Sequence, residues 1–187
     1  MKPFTLTLFI LTTLLMQACS TTSDEVLEQD PLESHVVPEF SIHFPKKNYS
    51  VRTRNFVDEK RNGVVTSSWT LAGTTDDNPF NYLLEFNEVP DELHASIYKD
   101  SSTLNSTFRR LLTQTAKEMK GKDFTFKPIQ LQGHVGMEAT CSVFNGDGRI
   151  KSRVFNVEKD FFILSGGGKH IDTNSVNRFL NSFELVK

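Results

Sequence analysis

The sequence lacks several features that would assign it to a familiar functional class. Its 187 residues carry a formal net charge of −2, so the composition gives no reason to expect nucleic acid as a partner. Its five histidines never fall at a metal-ligand spacing such as HxH or HExxH, and we therefore predict no metal. We predict no cofactor either. No internal repeat is visible. The 16 phenylalanines and the 37% of hydrophobic residues instead predict a soluble globular body with an aromatic core.

An apolar run long enough for a transmembrane helix is also missing. From Phe4 through Met16 the chain carries no charge, but a spanning helix needs about 20 apolar residues. Following a positive start at Lys2, this short run is typical of a targeting segment that is removed from the mature protein. The run ends at Ala18 and Cys19, beyond which the chain turns at once to hydroxyl and acidic side chains.

Residues 14–20, "LLMQACS", resemble the lipobox of bacterial lipoproteins, in which a small residue precedes a cysteine that is lipidated. The resemblance implies that residues 1–18 are a signal peptide and that Cys19 carries a diacylglycerol and a further acyl chain such as palmitate. Several acyl chains anchor a protein stably, because each buried methylene contributes about 0.8 kcal/mol. Ser20, not aspartate, follows the cysteine, which by the same resemblance implies the outer membrane, facing the periplasm. The alternative is an ordinary secretory signal that ends near Cys19.

The segment that follows Cys19 is acidic. Residues 20–38 contain no Lys or Arg and five acids, Asp24, Glu25, Glu28, Asp30 and Glu33. Like charges repel along such a chain, so residues 19–38 are predicted to form the lipidated cysteine and a flexible, extended tether. Residues 39–187 then form the globular domain.

The second cysteine of the chain, Cys141, has no disulfide partner if Cys19 carries lipid. Ala139 and Val143 stand two residues away on either side, which places all three on one apolar strand face. This position favours a core cysteine over an exposed nucleophile, which would need an accessible thiol with a lowered pKa.

Hydrophobic periodicity predicts the elements of the domain. A period of two predicts strands at 40–44, 65–71 and 80–86, and in a second block over 124–164. Tyr49 and Val51 begin a further predicted strand after the first. A helical period predicts one helix between Asp100 and Lys120, capped by Ser101, Ser102 or Thr103 and ended by Gly121, and a last helix capped by Asp172 or Thr173. The uninterrupted "FFIL" predicts a strand covered on both sides. This order predicts an α+β fold, a mainly antiparallel sheet flanked by helices.

The sequence predicts one hairpin down to its register. The strand that carries Cys141 reaches a turn at "NGDG", with Phe144 paired to Arg149 across it. Val143 then faces Ile150, and Ala139 faces Val154.

Five segments resemble the PsbP-like family, in which an antiparallel sheet lies between helices: "FSIHFP", "IQLQGHVGMEA", "RIKSRVF", "DFFILSGGG" and "NRFLNSFEL". The resemblance covers residues 39–187. That family includes an extrinsic subunit of the oxygen-evolving complex, a Ran-binding import factor and bacterial lipoproteins. The resemblance implies a binding or adaptor module and carries over no catalytic residue.

A glycine run suggests a phosphate cradle, since Gly166, Gly167 and Gly168 follow a strand and precede Lys169 and a helix. A P-loop, however, needs two glycines that flank four residues, then lysine and a hydroxyl residue. The run is therefore interpreted as a strand-to-helix turn in which the glycines adopt positive φ.

Basic side chains alternate along two predicted strands and are the candidate binding residues: Arg149, Lys151 and Arg153 on one, Arg52 and Arg54 on the other. Such a stripe is typical of a solvated face, or of one covered by the helix that bears Glu118. If the face is open, the stripe is where an acidic partner, or a phosphorylated or glycan ligand, would dock.

The sequence thus predicts a lipid-anchored cell-envelope protein that acts as a non-catalytic binding or adaptor module for an envelope partner. One alternative is an envelope hydrolase or transferase that uses scattered acids together with His134 and His170. Another is a carrier that holds a small ligand in a pocket between sheet and helix.

Overall fold

The computed structural model describes residues 37–45, 50–58, 63–75, 78–117 and 119–186. The predicted signal peptide, Cys19, the tether up to residue 36, Tyr49 and Glu118 lie outside the described residues. The elements in chain order are β1 Phe40–Ser41, β2 Arg52–Asp58, β3 Val64–Thr75, β4 Asn78–Glu88, α1 Asp91–Ile97, α2 Ser101–Thr115, β5 Lys122–Leu131, β6 His134–Val143, β7 Gly148–Val157, β8 Asp160–Lys169, α3 Thr173–Asn181 and β9 Glu184–Leu185.

The main sheet has seven strands in the order β2-β3-β4-β8-β7-β6-β5, and every neighbouring pair is antiparallel. A small second sheet pairs β1 with β9. Helices flank the main sheet, so the predicted α+β class is confirmed. None of the helices within the described residues is long and apolar enough to span a membrane.

The two faces of the main sheet have different cover. On one face, which we call the α2 face, Phe161 and Ile163 pack with Phe108 and Leu112 of α2 and with side chains of α1. On the other, the α3 face, α3 and the β1–β9 sheet cover the sheet residues of a second cluster. The core of this face is formed by Leu71, Phe80, Tyr82, Leu84, Phe86, Phe162, Leu164, Val176, Phe179, Leu180 and Phe183.

Residues 161–164 show the double cover directly. Phe161 and Ile163 point to the α2 face, Phe162 and Leu164 point to the α3 face, and all four are at most 2% exposed. The prediction of a strand covered on both sides is confirmed, because β8 lies in the interior of the sheet.

Aspartates begin both of the longer helices. The Asp172 carboxylate accepts hydrogen bonds from the Asn174 and Ser175 amides at 3.0 Å, which lowers its pKa and confirms it as the cap of α3. For α2 the predicted caps are wrong. Asp100 has extended backbone and accepts from the Thr103 amide at 2.7 Å, while Ser101 already lies inside the helix. The helix ends at Thr115, well before Gly121.

Three strand predictions need correction. The strand predicted at 40–44 spans only Phe40–Ser41. In the β6–β7 hairpin, Val143 pairs with Gly148, Cys141 with Ile150 and Ala139 with Ser152, so the predicted register is wrong by two residues. A shift of two keeps every side chain on its face, and the hydrophobic pattern therefore cannot detect it. The second predicted strand, β2, begins only at Arg52, where its ladder with β3 starts at the Arg52–Thr70 pair, so Val51 lies before it.

Candidate anion-binding cavity

The glycine run lies inside a strand. Gly166, Gly167 and Gly168 belong to β8, and none of the three has a positive φ, so the prediction of a strand-to-helix turn is wrong. A Cβ on Gly167 would meet the Arg149 carbonyl oxygen and lie 2.8 Å from the Ile150 Cα. A Cβ on Gly168 would lie 2.9 Å from the Phe80 Cα of β4. The glycines are needed because the main chains of β7 and β4 approach β8 closely on its two sides.

Two of these glycines pair with two of the predicted binding residues. Across the β7–β8 ladder, Arg149 pairs with Gly168 and Lys151 with Gly166, and all four point to the α3 face. Both glycines are buried, and a Cβ on either would make close contacts with its neighbours. A cavity of about 430 Å³ lies beside them, bordered by β7, β8 and α3 and lined by Arg149, Lys151, Gly166, Gly168, His170 and Asn177, among others.

The charge of this cavity comes mainly from two cations that differ in their surroundings. Arg149 is exposed and has no ion-pair partner within the described parts of the chain. The half-buried Lys151 donates from Nζ to Asn177 Oδ1 at 3.1 Å and lies 3.6 Å from Glu138 Oε1. Asp147 adds an acid to the lining. The cavity can thus attract a small anion, with Arg149 as its freest donor.

Arg153 continues the stripe of Arg149 and Lys151 but has a different role. Its Nε donates to Glu138 Oε2 at 2.8 Å, and its Nη1 donates to the Leu180 carbonyl and to Asn181 Oδ1, both at 2.9 Å. The guanidinium joins β6 and β7 to the last turn of α3, where the helix dipole favours a cation. Arg153 is therefore a structural contact and does not line the cavity.

The basic face of β7 is indeed covered in part by a helix, but the predicted helix was wrong. α2, the helix nearest to Glu118 in the chain, packs on the opposite face of the sheet. α3 covers the stripe instead, and the carboxylate that meets Lys151 and Arg153 comes from Glu138 of β6.

The second predicted stripe does not reach this cavity. Arg54 pairs with Ser68 of β3, and the ladder continues from Ser68 through Glu85 to Ile163, which packs on the α2 face. Arg52 is two residues away and shares that face. Arg52 and Arg54 therefore lie on an edge strand and point to the α2 face. Arg149 and Lys151 lie on an interior strand and point to the α3 face.

Cys141 is a core residue, as predicted. It is 4% exposed and packs with Ala116, Val143 and Ile150. Burial raises the pKa of its thiol, which keeps it protonated and a weak nucleophile. In the described part of the chain, no group of three or more His, Cys, Asp or Glu side chains is arranged to hold a metal ion.

Sequence reasoning missed His170 and Asn177 as lining residues. Asn177 enters the lining only because α3 docks over β7, and no local pattern indicates that docking. The pairing of Arg149 with Gly168, in contrast, could have been predicted from the sequence. Val157 pairs with Asp160, so a two-residue turn connects β7 to β8 and sets the whole register. The chain matches none of the family models searched and none of the curated proteins with which it was compared.

Proposed function

We propose that this protein is a lipid-anchored binding module of the bacterial cell envelope that holds an anionic group of its ligand or partner between Arg149 and Lys151. The observation that carries the proposal is that these cations line one cavity on the α3 face, next to Gly166 and Gly168 of β8. The lipobox resemblance at Cys19 supports the anchor.

The size and chemistry of the cavity support a small anionic group. Its volume of about 430 Å³ lies within the range of small-molecule sites, roughly 300–1,000 Å³. The Arg149 guanidinium can bind a carboxylate or phosphate through two parallel hydrogen bonds, whereas the Lys151 ammonium adds a compact charge. Asp147 opposes highly charged ligands, so a carboxylate or a single phosphate group fits the lining best.

The proposed role is non-catalytic. The buried thiol of Cys141, with its raised pKa, is unsuited to covalent catalysis. Lys151 is held by Asn177 and Glu138, an arrangement that keeps the ammonium in place. Both features support binding by preformed charge rather than group transfer.

The anchor is tested by replacing Cys19. We expect Cys19→Ala to move the protein from the membrane to the soluble fraction, because the acyl chains then have no attachment site. Cys141→Ala is the matched control and should leave the distribution unchanged. Membrane retention of Cys19→Ala, or an N-terminal peptide without acyl mass in mass spectrometry, would contradict the anchor.

The cavity is tested by thermal unfolding of the full chain with inorganic phosphate, pyrophosphate or citrate. An anion at ten times its Kd stabilises the protein by about 1.4 kcal/mol, which raises Tm by about 3–6 °C for a domain of this size. Arg149→Gln should remove most of this shift. The matched control is Arg110→Gln on α2, an exposed arginine on the other face, which should keep it. An equal loss in both variants, or no shift for any of the anions, would refute the site.

A further inference from the structure

The two edges of the main sheet are unequally protected. At one edge, β5 carries the cations Lys122 and Lys127, the proline Pro128, and a register shift between Lys122 and Thr125. Charges, prolines and bulges all hinder another strand from pairing. The β5 edge is therefore built to stay unpaired.

The other edge, β2, lacks the lysines, the proline and the bulge, and its basic side chains are two arginines whose charge an acidic strand would neutralise. Its sequence "RTRNFVD" has no proline and no lysine, and its register with β3 runs without a shift from Arg52–Thr70 to Val57–Val65. Among the described strands it pairs with β3 alone. Every second amide and carbonyl of a regular edge strand points outward, so β2 can accept one more strand.

Exposed apolar side chains concentrate at this edge. The described residues include five exposed large hydrophobic side chains, and three of them, Val51, Phe56 and Val57, lie in β2 or directly before it. They are 41%, 37% and 40% exposed. They lie on both faces of the strand, and an exposed edge strand with apolar side chains is a template for pairing with another chain.

The charges of β2 indicate what kind of chain would bind. Arg52 and Arg54 are exposed and have no ion-pair partner in the ranges that the structure describes. They point with Phe56 to the α2 face, while Thr53 and Val57 point to the α3 face. A complementary strand thus carries carboxylates at alternate positions opposite the arginines and apolar residues near Phe56 and Val57.

We propose that β2 binds an extended acidic peptide segment of a partner protein as an eighth, antiparallel strand of the sheet. Main-chain hydrogen bonds hold the segment, and Arg52 and Arg54 select for its carboxylates. This surface is independent of the cavity at Arg149. It lies on an edge strand, and its arginines point to the α2 face, whereas the cavity is on the α3 face.

The test uses a designed probe, acetyl-Val-Ile-Thr-Glu-Val-Glu-amide, which places its glutamates opposite Arg54 and Arg52. The full chain is titrated with the probe in detergent, and its amide chemical shifts are followed by NMR. We expect the largest shifts in β2 and β3. A probe with lysines in place of the glutamates should bind about tenfold or more weakly, because like charges then face each other.

Variants separate the charge from the strand pairing. Arg52→Glu combined with Arg54→Glu should reverse the preference, so that the lysine probe binds better. Lys122→Glu combined with Lys127→Glu, the same charge change on the β5 edge, should leave the preference unchanged. N-methylation of the alternate probe residues whose amides face β2 should abolish binding, because those amides can no longer donate to the β2 main chain. N-methylation of the other residues, whose amides point away from β2, should be tolerated.

Several outcomes would overturn the proposal. Equal binding of the acidic and basic probes would remove the role of the arginines, and equal tolerance of both N-methylated probes would remove the added strand. Shifts at the cavity that disappear in Arg149→Gln would assign the probe to the anion site instead. A dimer in sedimentation that excludes the probe would identify a second copy of the chain as the occupant.

Discussion

Arg54 and Arg153 occur in the same sequence pattern, a cation that alternates with other cations along a strand, but the structure uses them in opposite ways. Arg54 lies on the edge strand β2 with its side chain in solvent. Arg153 lies on the interior strand β7, and its side chain is 18% exposed. The comparison shows that the position of a strand in the sheet, and the element packed over it, decides whether a basic stripe is a free surface or a support.

The energetic difference follows from solvation. A charge that loses most of its water must recover that cost from partners, and Arg153 has three of them in Glu138, the Leu180 carbonyl and Asn181. Arg54 keeps its water and needs none. The same contrast separates Lys151, held beside Glu138, from Arg149, which is exposed at the rim of the cavity.

The largest expected effect is at Arg153. Arg153→Ala leaves the Glu138 carboxylate, 16% exposed, without its strongest partner and frees the last turn of α3. We expect the free energy of unfolding to fall by about 2–3 kcal/mol, measured by urea denaturation. Arg153→Lys keeps the charge but not the forked contact and should recover part of the loss. A change below about 0.5 kcal/mol for Arg153→Ala would remove the distinction between the two stripes.

An intermediate effect is expected where β7 approaches β8. Gly167→Ala forces its Cβ against the main chain of Arg149 and Ile150, and we expect a loss of about 2 kcal/mol in urea denaturation. Gly166→Ala is the matched control. Its Cβ would meet the side chains of Val176 and Tyr82 at 3.1 and 3.2 Å, which can adjust, so its cost should be nearer 1 kcal/mol. If the two costs were equal, close strand approach would not explain the glycine run.

The smallest effect is expected on β2. Arg52→Ala and Arg54→Ala should each change the free energy of unfolding by less than about 0.5 kcal/mol, because neither side chain is buried or held by an ion pair within the described residues. Urea denaturation of both variants beside Arg153→Ala measures the contrast directly. A loss above about 1 kcal/mol at either position would show that β2 is also stabilised by its arginines.

Patterns that depend on nearby residues allowed much of this fold to be predicted. Alternation over 80–86 and the apolar run at 161–164 indicate strands, and Asp172 indicates the start of α3. Each of these signals depends only on residues that are close in the sequence. The register of the β6–β7 hairpin could not be obtained in this way, because a shift of two residues leaves both faces unchanged. The cap of α2 was predicted one residue too late, since hydroxyl residues and aspartate compete for that position.

The sequence by itself determined the composition of each strand face, the core position of Cys141, and the α+β class, since all three follow from which side chains avoid water. It also carries the lipobox resemblance at Cys19. Only the tertiary structure decided that Arg149 and Lys151 meet Gly166 and Gly168 at a cavity, that Arg153 is held by Glu138 and α3, and that Arg52 and Arg54 lie on an edge strand of the described sheet. The physical reason is that strand order and helix docking join residues far apart in the chain, and the local pattern of a stripe is the same whether its strand is central or at the edge.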